Sequence, residues 1–131
     1  MTISFGYTIV YVADVTAIVA FYERAFGLER RFVTEEGGYA EMDTGATTLA
    51  FASHDLGGGN IPAGYIPLDP HAPPVGIEIG LVTPDVVEVY ERAVAAGAEP
   101  LAAPKTKPWG QVVGYVRDPA GTLIEICSPM G

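Results

Sequence analysis

The stretch PWGQVVGYVRDPAGTLIEICSP, Pro108 to Pro129, decides how the rest of the chain is read. Its runs GQVVGYVRD and TLIEICS are rich in β-branched and aromatic residues and read as two strands. In the second run Glu125 sits between Ile124 and Ile126. Side chains alternate across a strand, so Glu125 points to the face opposite its neighbours. The isoleucines call for a core. The carboxylate calls for water, a metal or a ligand.

Working outward, the same order of elements occurs twice. Ser4 to Val12 (SFGYTIVYV) reads as a strand, and Asp14 is placed to cap VTAIVAFYERAF. That run has Ile18, Phe21, Tyr22 and Ala25 at helical spacing and stops at Gly27. Three short strands follow, LERRFVTEE, GYAEMD and TTLAFAS, with turns at Gly37-Gly38 and Thr44-Gly45. The second copy begins with VGIEIGLV. Asp85 is placed to cap PDVVEVYERAVAAG, which ends at Gly97, and AEPLAAP, GQVVGYVRD and TLIEICS complete it. The reading is βαβββ twice: module one over 1–53, a loop over 54–74, module two over 75–131. Asp14 and Asp85 are offset by 71 positions, whereas Asp43 and Asp118, and Ser53 and Ser128, are offset by 75. The slip of four is expected near Lys105 to Gly110, as a longer turn in module two. The tetrapeptide YERA in both helices fits neither offset and is a coincidence.

The loop HDLGGGNIPAGYIPLDPHAPP is rich in Gly and Pro, and no regular element is expected in it. Its Tyr65, Ile61 and Ile66 fit a lid over a pocket or an arm across a dimer, and its composition equally fits a plain linker.

The chain has 131 residues, 49% hydrophobic and 18% charged, enough for one compact domain or two small modules sharing a core. No apolar run approaches the roughly 20 residues that span a membrane. The start MTISFGYTIVYVADV has no basic region or cleavage site, so a cytoplasmic protein is expected. The single cysteine, Cys127, excludes an internal disulfide and reads as a packed strand residue. The net charge of −9, with seven Lys and Arg, argues against nucleic acid and anionic membranes as partners. It keeps the protein soluble and would attract a cationic small molecule.

The βαβββ duplication, the stretch FYERAFGLE after a capping Asp, and above all PWGQVVGYVRDPAGTLIEICSP resemble the vicinal oxygen chelate superfamily. That group includes glyoxalase I, extradiol dioxygenases, methylmalonyl-CoA epimerase, fosfomycin-resistance enzymes and bleomycin-resistance proteins. The resemblance implies an α+β fold: two tandem βαβββ modules forming a curled mixed-sheet cup, with helices on the outer face. It also implies a homodimer, which would cover open sheet edges. In metal-dependent members, four inward-facing residues from the first and fourth strands of each module bind one divalent cation.

Carried onto this chain, those positions are Tyr7, Ala50, Glu78 and Glu125. A protonated tyrosine is a weak ligand and alanine is none. Without histidine in the set, Zn2+ or Ni2+ is disfavoured, and two carboxylates suit Mg2+ or Mn2+ if any metal binds. The only histidines, His54 and His71, lie at the edges of the loop. Alternation places Glu78 with Gly76 and Gly80, Ala50 with Ala52, and Tyr7 with Phe5, Ile9 and Tyr11. The opposite faces carry most of the large aliphatics. A small, aromatic and acidic face is either the lining of a cavity or a partly solvated sheet face, and the resemblance favours the cavity.

If Glu78 and Glu125 share that cavity, one pKa rises and the pair titrates as a unit. A cation, a shared proton or a cationic ligand would relieve the repulsion. Tyr7, Tyr11, Ala50, Tyr65, Trp109 and Gln111 are the candidate ligand-binding residues. Trp109 stacks on a ligand or plugs the end of the core, and the resemblance puts its turn at the cavity mouth. Arg30 and Arg31 either meet an anionic substrate or are surface charges. The functional expectation is a metal-free binding protein for a cationic or aromatic small molecule. The alternative is a divalent-metal-dependent lyase, isomerase or dioxygenase with Glu78 or Glu125 as catalytic base, and the third is a scaffold without a ligand.

Overall fold

The structure, a computed structural model, describes residues 1–130. The elements run β1 (Tyr7–Val12), α1 (Val15–Phe26), β2 (Glu29–Val33), β3 (Tyr39–Asp43), β4 (Thr48–Ser53) and α2 (His54–Asn60). They continue as β5 (Glu78–Val82), α3 (Val86–Ala95), β6 (Glu99–Thr106), β7 (Val112–Arg117) and β8 (Leu123–Cys127). The chain divides into two compact units: Met1–Glu23 with Gly27–Pro67, and Arg24–Phe26 with the chain from Leu68 on. Each unit holds one open four-stranded mixed sheet, in the order β1-β4-β3-β2 in the first and β5-β8-β7-β6 in the second. In both, the first strand pairs parallel to the last and the other pairs are antiparallel. This is the α+β tandem βαβββ architecture expected from the sequence.

Local chemistry explains the helices. The Asp14 carboxylate accepts from the Ala17 N–H at 3.0 Å, and Gly27, at φ +65°, returns its N–H to the Glu23 carbonyl. Ile18, Val19, Phe21 and Tyr22 are buried, and the Tyr22 ring packs 5.1 Å from that of Phe51 on β4. Burying such side chains contributes roughly 1.5–3 kcal/mol each. Helix α3 stops as expected at Gly97. The Ala98 N–H reaches the Ala93 carbonyl and the Gly97 N–H the Val94 carbonyl, a Schellman closure that needs the positive φ of Gly97. Its start differs from expectation: the Asp85 side chain makes no capping bond, and the Asp85 N–H is held by the Thr83 hydroxyl instead.

Three other readings are corrected. The strands β1 and β5 begin at Tyr7 and Glu78, later than read, because their parallel partners begin at Thr48 and Leu123. The loop opens with a helix, α2, in spite of Gly57, Gly58 and Gly59; Ser53 caps it by accepting from the Leu56 N–H at 3.3 Å. The turn in module two is not longer. Lys107–Gln111 and Thr34–Tyr39 are closed by matching pairs of backbone bonds. Extra residues lie in β6 instead, which has eight residues against five in β2 and a ladder to β7 that shifts register twice.

The last part of the connecting segment is tied down by one side chain. Arg117, 5% exposed, donates to the carbonyls of Asp69, Pro70, Ala72 and Gly121. A Cβ on Gly121 would lie 3.2 Å from both the guanidinium and the Pro70 nitrogen, and Gly121 sits at φ +110°, so only glycine fits there. A lysine cannot reproduce a fork of this geometry. Arg117→Lys is therefore expected to destabilise the protein by about 2–3 kcal/mol, measured by urea denaturation, with faster amide exchange at 69–72. Unchanged stability would show that the fork is incidental.

Candidate acidic site on the second sheet

In the second unit the parallel register sets Gly80 beside Glu125, and the antiparallel register sets Tyr115 on its other side. The Glu125 carboxylate lies over Gly80: a Cβ there would be 3.8 Å from Oε2. Its other oxygen, Oε1, accepts the Tyr115 hydroxyl at 3.0 Å. Glu78 shares this face, two residues before Gly80. Desolvation raises the Glu78 pKa, and the charge and hydrogen bond of Glu125 raise it further. The same two carboxylates, after desolvation, also raise the pKa of the Tyr115 phenol and of the buried Cys127 thiol. Tyr115 donates to Glu125, and Glu78 retains its proton longer than an ordinary carboxylate. Among the described residues, no Lys or Arg lies within ion-pair distance of either carboxylate.

The corresponding face of the first sheet is built differently. Glu41 is paired with Ala50 in the ladder. Its Oε1 accepts from Arg31 at 3.1 Å and its Oε2 from the Tyr39 hydroxyl at 2.8 Å. Arg31 also donates to the Thr48 hydroxyl at 3.0 Å. Burial, then the hydrogen bond and charge of Glu41, push the Tyr39 phenol up to about 12. Here the carboxylate has its own cation. Ala50 and Ala52 are buried. In the register they lie between Ile9 and Glu41 and between Tyr11 and Tyr39, whose longer side chains cover them.

The residues expected from sequence thus separate. Glu78 and Glu125 come together in the second unit, with Tyr115 as a third member. Tyr7 is exposed on β1, and Ala50 has no exposed surface. Trp109 is 62% exposed and plugs no core; its indole N–H donates to the side-chain amide oxygen of Gln111, and the Gln111 amide nitrogen donates in turn to the Ser128 backbone carbonyl at 2.8 Å. Tyr65 stacks on Tyr11 with ring centroids 4.9 Å apart. Arg30 pairs with Glu23, and Arg31 with Glu41, so each cation is engaged within its own surface. Tyr115 was missed. Its signal was the β7–β8 register, which the two strands alone do not specify. A pocket of about 420 Å3 opens beside Asp85, Glu88, Glu91 and Val112, and none of the site residues expected from sequence lines it.

The sequence model of the glyoxalase/bleomycin resistance protein/dioxygenase superfamily matches residues 4–126. The chain belongs to this superfamily. Its fold is that of a glyoxalase-related enzyme from Fulvimarina pelagi, at 21% identity over 98% of this chain and 89% of the other, with a TM-score of 0.84. A superfamily enzyme from Burkholderia phytofirmans PsJN follows at 19% identity, 96% and 98% coverage, and a TM-score of 0.76. TioX from Micromonospora sp. ML1 matches at 24% identity, 95% and 98% coverage, and a TM-score of 0.70. No curated protein matches the chain. Among the described residues, no helix is long and apolar enough to cross a membrane.

Superfamily membership raises the question of a metal. Among the described residues, no three His, Cys, Asp or Glu side chains gather as a ligand set. Glu78 and Glu125 supply two carboxylates, and Tyr115 occupies one oxygen of the second. Two carboxylates fall short of a closed set of protein ligands; an oxygen-preferring ion such as Mg2+ held there would take most of its shell from water.

The carboxylate pair sets a pH dependence. Because its folded pKa is raised, Glu78 binds its proton more tightly in the folded state, so its contribution to stability falls as pH rises through that pKa. Glu78→Gln should melt like the wild type at about pH 4 and at a higher temperature at about pH 7. Identical melting profiles at both pH values would show that the two carboxylates do not interact.

Proposed function

We propose that the protein is a small-molecule-binding member of the superfamily that takes a cationic, aromatic ligand on the acidic face of the second sheet, without a resident metal. The observation that carries this reading is the contrast between the two sheets. Glu41 has Arg31 as its counter-ion, whereas Glu78 and Glu125 face one another with no cation within ion-pair distance. A ligand cation relieves that repulsion, and the overall charge of −9 attracts it. Trp109, exposed in the turn and oriented by Gln111, offers an aromatic surface in the same unit. The family's metal-dependent lyase, isomerase and dioxygenase chemistry, with Glu78 or Glu125 as base, is the competing reading; it would have to run with two carboxylates as the protein's share of the metal shell.

Isothermal titration calorimetry with proflavine, a planar aromatic cation, tests the proposal. Glu125→Gln and Glu78→Gln should each weaken binding by roughly tenfold, the loss expected for one charge-assisted contact. Tyr115→Phe should weaken it less. Mg2+ and Mn2+ should leave the melting temperature of the wild type unchanged. Equal proflavine affinity in wild type and both glutamine variants, or a clear upward shift with either metal, would favour the competing reading.

The same proposal includes a homodimer. The strands β1 and β5 each pair on one side only, and side chains on or beside them are exposed: Phe5, Tyr7 and Ile9 at β1, Ile77 and Val82 at β5. Unpaired edges carrying apolar side chains need covering, and a second copy offers matching edges. Sedimentation velocity at micromolar concentration should give the mass of two chains; a single-chain mass would exclude this.

A further inference from the structure

The connecting segment carries a feature independent of the carboxylates. Tyr65 is engaged from three sides. Its ring stacks on Tyr11 of β1, centroids 4.9 Å apart and 24° between planes. Its hydroxyl lies 2.7 Å from Nδ1 of His54, the first residue of α2. Its edge presses on the backbone of the same helix at Gly57: a Cβ there would fall on the Tyr65 hydroxyl oxygen and 2.8 Å from Cε1 and Cζ. Gly64, at φ +86°, turns the chain back towards α2, and its N–H bonds to the Ile61 carbonyl. Ile66, which follows Tyr65, is exposed. Tyr65 therefore ties the segment both to β1 and to α2.

The helix it fastens is weak by itself. It has seven residues, three of them consecutive glycines, and each glycine disfavours helix relative to alanine. A helix of this length does not persist alone. Gly57 is required, because any side chain would expel Tyr65. Gly58 and Gly59 are not: a Cβ on either meets nothing within 4 Å. There they only lower the helix's own stability. Tyr11, beneath the Tyr65 ring, belongs to the face that carries Tyr7 and Ile9, with Ala52 and Tyr39 beside it in the register. The stack is the arrangement that a flat aromatic ligand would make with Tyr11.

We propose that α2 and the segment to Tyr65 form a displaceable latch, in which the Tyr65 ring occupies a slot on Tyr11 that a planar aromatic ligand takes when the latch opens. The proposal goes beyond the reading of the acidic face and does not depend on it.

Amide hydrogen exchange on the whole protein tests the latch without any ligand. Gly58→Ala should slow exchange over residues 56–61, as alanine normally does in a helix. Gly57→Ala should speed it by about tenfold, because the new methyl expels Tyr65. Unchanged exchange in β4 reports an intact sheet in both variants. Slower exchange in Gly57→Ala would show that Tyr65 does not hold the helix and would overturn the latch. Acridine, uncharged at mildly alkaline pH and so indifferent to Glu78 and Glu125, tests the slot. Tyr65→Ala and Gly57→Ala should bind it about fivefold more tightly than the wild type, and adding Tyr11→Ala should remove the gain. Equal or weaker binding in both variants, or a gain that survives Tyr11→Ala, rejects the slot while leaving the proflavine result to be judged separately.

Discussion

Parallel pairing of the first strand with the last is the constraint on which each unit rests. In the second unit, β5 lies parallel to β8 with Gly80 opposite Glu125. A parallel pair requires a crossover, and α3 with the β6–β7 hairpin supplies it. The pairing makes β8 an inner strand, flanked by β5 and β7. Glu125 therefore has a neighbour on each side: the bare backbone of Gly80 and the phenol of Tyr115. Neither neighbour brings positive charge. The same pairing of β1 with β4 puts Ala50 at the equivalent inner position, where it leaves a gap that Glu41 and Arg31 close from the next strands.

The two sheets thus use one topology for opposite electrostatic ends. Each has a tyrosine hydroxyl bonded to a glutamate, Tyr39 to Glu41 and Tyr115 to Glu125. In the first sheet an arginine completes the set, and the network needs nothing more. In the second no cation joins the pair; a further carboxylate, Glu78, lies on β5 instead, and the charge remains uncompensated among the described residues. Compensated networks hold a surface together, whereas repelling carboxylates recruit a counter-charge. The strand order is the same in both sheets, so the contrast lies chiefly in side chains.

Much of this was legible in the chain. The caps Asp14, Gly27 and Gly97 act locally and were read correctly, because capping depends on neighbouring residues. Alternation put Glu125 opposite its isoleucines, and Ile124 and Ile126 are indeed buried while Glu125 bonds on the other face. The reading failed where distant residues decide. Helix α2 contradicts its own composition, since three glycines disfavour it, and it forms against Tyr65, which follows five residues after its end. The four-residue slip was placed in a turn, but bulges in β6 absorb part of it. Tyr115 escaped notice, and Arg31 was named without its partner Glu41, because the partners lie on neighbouring strands.

By itself, then, the sequence determined the order of elements within each βαβββ module, the duplication, and the face on which each strand residue points. Those follow from periodicity and short-range chemistry, which act within a few residues. Only the tertiary structure decided which charges meet. Register brings Tyr115 to Glu125 and Arg31 to Glu41, and folding back brings Tyr65 to Tyr11 and Asp69–Ala72 to Arg117. Electrostatic balance depends on distances across strands, and a linear chain does not contain those distances until the ladders form.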